Sequence, residues 1–400
     1  MSKNKVIIRE IDENIYILRV NDYNIKYFES LWEIPEGITY NAYLLNLEEE
    51  AVLIDLWKRD FSKEFINAIE SIVEIEKIRY IIVNHAEPDH TGSLPEILKR
   101  NSKVIILGHP LAKTLLENLH NIRINEFKPV RDGEVLKLNG ETLKFLHTPW
   151  LHWPETIMTF LENRKILLSC DAFGGYSIPD VIFDYELEDL NNYLQYVRKY
   201  FVTVIGHYRA FITKNVEKIR KLDVKLIAPG HGLIWAKEPS KIVKYYLELA
   251  KGTFKEHKAT IIYGSMYGSV EKAVNKTIEV LREKGYSVKV YKFTDREVAS
   301  LSEILSDTID SEIIVIGGAT YEVGVFPKIR YVAEMLKHKV SMEKKVLIIS
   351  SYGWGGIAGK KLSKILSEGG FKIVKVIEFK GMPKDEDLEK IEETLNELIG

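Results

Sequence analysis

The chain has 400 residues, 46% of them hydrophobic, with a formal net charge of -2. That length exceeds one ordinary domain, so two or three are expected, each with enough apolar material for a full core. The near-neutral charge gives no electrostatic reason for a nucleic-acid or anionic-membrane partner, and a lone cysteine, Cys170, excludes an intrachain disulfide and fits a reducing, cytoplasmic compartment. Residues 1–10 lack an apolar core of signal-peptide length. No stretch approaches the roughly 20 apolar residues of a membrane span.

Residues 5–57 read as short strands at 6–8, 15–20, 24–28, 41–47 and 51–55, broken by Asn, Asp, Gly and Glu. Residues 61–73 have helical spacing. An apolar run, Tyr80-Ile81-Ile82-Val83, then reads as a buried strand leading into Asn84-His85-Ala86-Glu87-Pro88-Asp89-His90-Thr91-Gly92. Four potential metal ligands lie together here: His85, Glu87, Asp89 and His90. Pro88 is expected to stop regular structure, which leaves the ligands on a loop at a strand end. His85, Glu87 and Asp89 alternate, and an extended backbone would turn all three to one side. A solvated turn accounts for Asn, Asp and Gly, but not for two histidines flanking two carboxylates.

A helix at 94–99, a strand at 104–107, a helix at 110–119 and strands at 127–130, 135–138 and 142–147 follow. The loop Thr148-Pro149-Trp150-Leu151-His152-Trp153-Pro154-Glu155-Thr156, stiffened by two prolines, offers His152. Strands are expected at 157–161 and 165–169. The second ends in Cys170-Asp171, where an unpaired carboxylate would be costly unless a metal or hydrogen-bond partner met it. After a helix at 188–200, a strand at 224–228 ends in Pro229-Gly230-His231-Gly232. The pattern of an apolar strand followed by a turn bearing His or Asp thus occurs four times. Any one of these histidines alone reads as incidental; four such placements together point to a metal centre.

The composition shifts near residue 250, where 250–258 is polar and reads as a linker. Beyond it strands at 259–263, 287–292, 312–316, 345–350 and 371–379 alternate with helices at 270–284, 298–309, 327–338, 360–368 and 385–398. That is a doubly wound sheet of five parallel strands. Its first strand is followed by Gly264-Ser265-Met266-Tyr267-Gly268-Ser269-Val270-Glu271, a run of hydroxyls and free N–H groups at a helix start, suited to an anion. It has no Gly-Lys-Ser/Thr ending and is not Gly-x-Gly-x-x-Gly. The third and fourth strands are followed by Gly317-Gly318-Ala319-Thr320-Tyr321 and Ser351-Tyr352-Gly353-Trp354-Gly355-Gly356. Tyr321 and Trp354 are planar side chains suited to lie against a flavin ring, although aromatics in loops also simply pack.

Over essentially its whole length the sequence resembles the flavodiiron proteins, or A-type flavoproteins. The carrying residues are His85-x-Glu87-x-Asp89-His90, Leu151-His152-Trp153-Pro154-Glu155, Ser169-Cys170-Asp171-Ala172-Phe173-Gly174, His231 and Tyr40-Asn41-Ala42-Tyr43-Leu44. The resemblance implies an α/β fold: an αββα metallo-β-lactamase-like sandwich over residues 1–253, then a five-stranded flavodoxin-like FMN-binding domain over 254–400. It implies two irons, one held by His85, Glu87 and His152 and the other by Asp89, His90 and His231, with Asp171 bridging. In some members the equivalent of His90 turns away from the metal. FMN would be held by Ser265, Met266, Tyr267, Gly268, Ser269 and Val270, by Ala319, Thr320 and Tyr321, and by Ser351, Tyr352, Gly353, Trp354, Gly355 and Gly356. The family pattern has Thr where Val270 stands, which leaves one hydroxyl contact open.

Related hydrolases of this fold carry a second histidine where Glu87 stands, and bind zinc. The extra hard oxygen ligand favours iron. The implied activity is reduction of dioxygen to water, nitric oxide to nitrous oxide, or both, in a head-to-tail homodimer or dimer of dimers. With no Cys-x-x-Cys pair, electrons must come from outside: reduced coenzyme F420 or a rubredoxin. Two rivals are a zinc-dependent hydrolase fused to a flavodoxin-like module, which Glu87 opposes, and a pure electron carrier, which leaves seven ligands unexplained.

Overall fold

The computed structural model describes residues 5–399; the first four residues of the stretch 1–10, which lacks a signal-peptide core, and Gly400 lie outside the described residues. The chain divides into two compact units, Met1–Leu247 and Glu248–Gly400. Among the described residues no helix is long and apolar enough to cross a membrane.

The first unit is a sandwich of two sheets. One orders Lys5–Asp12, Ile15–Asp22, Ile38–Leu47, Glu50–Ile54, Ile78–Val83, Ile105–Gly108 and Phe127–Pro129; its last three pairings are parallel and the others antiparallel. The other orders Val135–Leu138, Glu141–His147, Ile157–Leu161, Ile166–Cys170 and Leu226–Pro229. Alternation along Ile38–Leu47 sends Tyr43 and Leu45 into the core between the sheets, where they join Ile15, Ile54, Ile82, Phe145, Ile157 and Leu168. Residues 38–45 are nonetheless buried throughout, because both faces of the strand are covered.

The structure departs from the sequence reading in several places. The strand expected at 24–28 shrinks to Tyr27–Phe28, paired with Trp32–Glu33 in a hairpin. Asp22 Oδ1 accepts the N–H groups of Asn24 and Ile25, a side-chain turn that occupies the start of the expected strand. Pro88 starts a helical turn, Pro88–Thr91, rather than stopping structure. At the first helical position no N–H is needed, and the fixed φ of proline suits the helix. The polar stretch 250–258 is no loose linker: the helix Pro239–Lys251 runs into it and the strand Lys255–Gly264 begins within it. That helix and Arg209–Ile219 have no counterpart in the sequence reading.

The second unit is doubly wound. Its parallel strands lie in the order Ser287–Phe293, Lys255–Gly264, Ser311–Tyr321, Lys345–Tyr352, Lys372–Lys380. A two-residue strand, Gly324–Val325, adds an antiparallel sixth by pairing with Thr320 and Tyr321, so the third strand runs on through residues expected in a loop. Gly264 pairs with Gly318 and Ala319 with Ser351, which brings the carboxyl ends of the three central strands side by side.

Candidate metal centre and flavin site

The turn after Ile78–Val83 is built to aim ligands inward. Asp55 Oδ1 accepts the Asn84 N–H at 2.8 Å and Asp55 Oδ2 accepts from the Asn84 amide at 3.0 Å, fixing the strand end. His85 and Glu87 then point into one pocket. The helical turn begun by Pro88 swings Asp89 and His90 away from the line that an extended chain would have given. As a result Asp89 does not share a side with His85 and Glu87; it faces His231 instead.

Three groups of ligand atoms form, each within 4.8 Å: His85, Glu87, His152 and Asp171; Asp89, His90 and His231; and His90, Cys170 and Asp171, which overlaps both. Asp171 joins them. Its Oδ2 lies 3.4 Å from His85 Nε2 and 3.3 Å from His152 Nε2, while its Oδ1 lies 2.8 Å from His90 Nε2 and 3.3 Å from His231 Nε2. Glu87 Oε2 is 3.1 and 2.9 Å from the Nε2 atoms of His85 and His152. Asp89 Oδ2 is 3.4 Å from His231 Nε2. His90 therefore turns toward the cluster. All seven residues come together from four strand-end segments.

The histidine at 231 is held by the strand Ile38–Leu47. Asn41 donates to the Pro229 and Gly232 carbonyls, and the Tyr43 hydroxyl donates to Pro229 O. At Gly230 a Cβ would lie 2.6 Å from His90 Cε1, so the approach of that ring requires glycine. His231 Nδ1–H donates to Thr39 O at 2.7 Å, which leaves Nε2 for a metal.

Burial opposes the charge on each histidine, yet the carboxylates prevail: His152 is pushed up to about 9 by Asp171 and Glu87, and His231 to about 10 by Asp171 and Asp89. Burial likewise opposes ionisation of Asp171, but His90, His152 and His231 hold its carboxyl well below the usual range. Asp171 Oδ2 and both oxygens of Asp89 are buried without a hydrogen bond. Buried acceptors left this way are costly unless a cation meets them, so the donor set fits a pair of metal ions.

Sequence reading missed the residues around the ligands. Glu155 Oε1 accepts from His85 Nδ1 at 2.8 Å and from the Ala86 N–H at 3.0 Å. The Tyr200 hydroxyl donates to Asp171 Oδ1 at 2.8 Å. Phe28 and Tyr40 present ring edges to His231, and Trp153 does so to His85, walling the cluster with apolar surface. Glu155 was visible in the quoted Trp-Pro-Glu stretch; Tyr200, in an amphipathic helix, carried no signal.

In the second unit the expected flavin contacts lie at the adjoining carboxyl strand ends. Among the described residues the N–H groups of Met266, Tyr267, Gly268, Ser269 and Val270 meet no acceptor, a free donor set at the start of the helix Ser269–Glu283 that fits a phosphate. Ser265 is buried, and Ser269 Oγ meets Ser351 Oγ at 3.1 Å, tying two of the loops together. Val270 is fully buried in the core, so its N–H rather than its side chain is what an anion can reach. Thr320 Oγ1 accepts the N–H groups of Ile357 and Ala358 and so serves the next helix. Ala319, Tyr352, Gly353, Gly355 and Gly356 frame the same edge, and the Tyr267, Tyr321 and Trp354 rings stand exposed there, Trp354 at 94%.

Residues 38–232 match the family described as ODP family beta lactamase, and residues 261–394 match Flavodoxin. The chain is 43% identical to a mutant form of a flavo di-iron protein from Thermotoga maritima, with all of both chains covered and a TM-score of 0.94. It is 31% identical to a coenzyme F420H(2) oxidase from Methanothermobacter marburgensis over 96% of each chain, and 30% identical to a nitric oxide reductase from Moorella thermoacetica over 95% of each.

Proposed function

The chain belongs to the flavodiiron proteins, and from that premise we propose that it reduces dioxygen to water, nitric oxide to nitrous oxide, or both, at the seven-residue cluster. It is an oxidoreductase whose cofactors are FMN and a non-haem iron pair. The observation that supports this placement most directly is the division of Asp171, one oxygen toward each histidine group. The flavin passes electrons singly or in pairs and the iron pair stores two, which is the redox chemistry the residues must house.

His85, Glu87 and His152 would hold one iron, Asp89, His90 and His231 the other, and Asp171 both. Glu155 keeps a His85 proton on Nδ1, so that Nε2, which faces inward, is the nitrogen a metal would take. Thr39 O does the same for His231. Tyr200 holds a proton on its hydroxyl, donated to Asp171; burial and the adjacent carboxylate push that phenol up and keep it a donor. Phe28, Tyr40 and Trp153 keep bulk water from the inner face. FMN would lie with its phosphate on the N–H groups of residues 266–270 and its ring near Tyr321 and Trp354.

Within this reading residues 1–253 are the diiron domain and 254–400 the FMN domain. Reduced coenzyme F420 or a rubredoxin would be the donor, since these 400 residues, with one cysteine, hold no rubredoxin iron site of their own. Two chains pair head to tail in the cytoplasm, as a dimer or a dimer of dimers. Tyr267, 90% exposed, and Trp354 are large apolar surfaces that such pairing would cover. A monomer in solution with full activity would refute the pairing.

The test is anaerobic reduction of the purified protein, then separate mixing with each gas while flavin reoxidation is followed. Rapid reoxidation by at least one gas, with iron and FMN in the sample, is expected. A colourless protein containing zinc would favour the hydrolase instead.

A further inference from the structure

The loop proposed for the flavin phosphate carries its own competitor. Gly268 precedes the helix Ser269–Glu283, and Glu271 is its third residue. A glutamate at that position ordinarily reaches back to the amide just before the helix and closes a capping box. Here that amide is the Gly268 N–H, one of the free donors a phosphate would need. The loop from Ser265 to Val270 contains no Lys or Arg to neutralise either anion.

The capping bond is not made. Glu271 Oε1 instead accepts the phenolic proton of Tyr263 at 2.9 Å, and the Glu271 N–H reaches Ser265 Oγ at 3.4 Å. Tyr263 is 3% exposed, one residue from the end of the strand Lys255–Gly264, and shares a core with Val270 and Val274. Its ring is thus anchored in that core, and the hydroxyl bond holds Glu271 Oε1 while the helix start has no side-chain cap. Burial, and then the Glu271 carboxylate, push the phenol up, so it remains a donor throughout the neutral range.

We propose that Tyr263 is a positioning residue for the flavin phosphate: it holds Glu271 off the Gly268 amide and keeps the cradle open. The proposal rests on the placement of the phosphate at residues 265–270.

Full-length protein freed of flavin, titrated with FMN and with riboflavin by fluorescence quenching, tests it. Tyr263→Phe weakens FMN roughly tenfold, the scale of one charge-assisted hydrogen bond, and leaves riboflavin unchanged. Adding Glu271→Ala to that variant restores FMN affinity, because the competitor is gone. Glu271→Asp, too short to reach Tyr263 yet able to cap, also weakens FMN selectively; it serves if Tyr263→Phe does not fold. Equal loss for both flavins, no loss, or no rescue would overturn the role of Tyr263. Wild-type protein that holds riboflavin as tightly as FMN would instead sink the placement of the phosphate, and the proposal with it.

Discussion

Tyr200 donates its hydroxyl proton to Asp171: the two oxygens lie 2.8 Å apart, and the acceptor is Oδ1, the oxygen that also faces His90. The contact orients the one carboxylate shared by both halves of the cluster. Replacing Tyr200 with Phe keeps the ring packed against Tyr176 and His231 and removes only the donor. A hydrogen bond to a charged group contributes about 1.5–3 kcal/mol. Turnover with the preferred gas should therefore fall roughly tenfold or more, while iron content per chain stays unchanged. An unaltered rate would show that the phenol merely packs.

Glu155 works on the opposite side. Its Oε1 takes the His85 Nδ1 proton and the Ala86 N–H together. Loss of such a partner typically lowers metal affinity 10–100-fold. In Glu155→Ala, iron should be stripped from the His85 side by a chelator that leaves the wild type loaded. Glu155→Gln, which still offers an oxygen acceptor, should fall between the two. Iron retained equally in all three proteins after dialysis would refute this role.

The clustering of the seven proposed ligands was legible because each follows an apolar strand, and such strands end on one edge of the sandwich. What surrounds them was not. Glu155 and Tyr200 act through contacts 70 and 29 residues distant in sequence, which no local pattern encodes. The turn at Pro88 was misread for a local reason: proline forbids a helix interior but favours a helix start, and the sequence does not say which position it holds. The 250–258 stretch misled because polar residues mark a linker and equally the exposed end of a helix and the exposed start of a strand. In the second unit the β–α alternation implied a doubly wound parallel sheet, whereas the pairing of Gly324–Val325 depends on a turn with no glycine or proline signal at Glu322-Val323.

The charges on the histidines predict how loading responds to pH. In metal-free protein His152 and His231, raised to about 9 and about 10, are cationic at neutral pH, and a metal needs them neutral. His85 and His90 are raised as well, so loading with ferrous ion at pH 7 should release at least two protons, readable with an indicator dye in weak buffer, and apparent affinity should climb until pH passes about 10. Both values lie above the unfolded ~6.5. The stability these charges give the metal-free fold is therefore complete below that pH and disappears as pH rises through 9 and 10. Metal-free protein should melt lower at pH 10 than at pH 7, and loaded protein should lose less. Loading that releases no protons at pH 7 would contradict the assignment of these two residues as ligands.

Gly317 predicts a different coupling, in the second unit. A Cβ there would lie 2.8 Å from Val270 Cγ1 and 2.9 Å from Tyr263 Cβ, so the third strand passes directly under the start of the flavin-loop helix. Gly317→Ala should overpack this contact and cost about 1–3 kcal/mol, with weaker FMN binding as the helix start shifts. Val270→Ala alone leaves a cavity and also destabilises. The two changes share one contact, so together they should cost clearly less than their sum, since the methyl that Gly317→Ala adds fills space that Val270→Ala vacates. Thermal melts of the three variants decide it. Strict additivity would mean that the strand and the helix start do not press on each other, and that the loop owes its shape to something other than this packing.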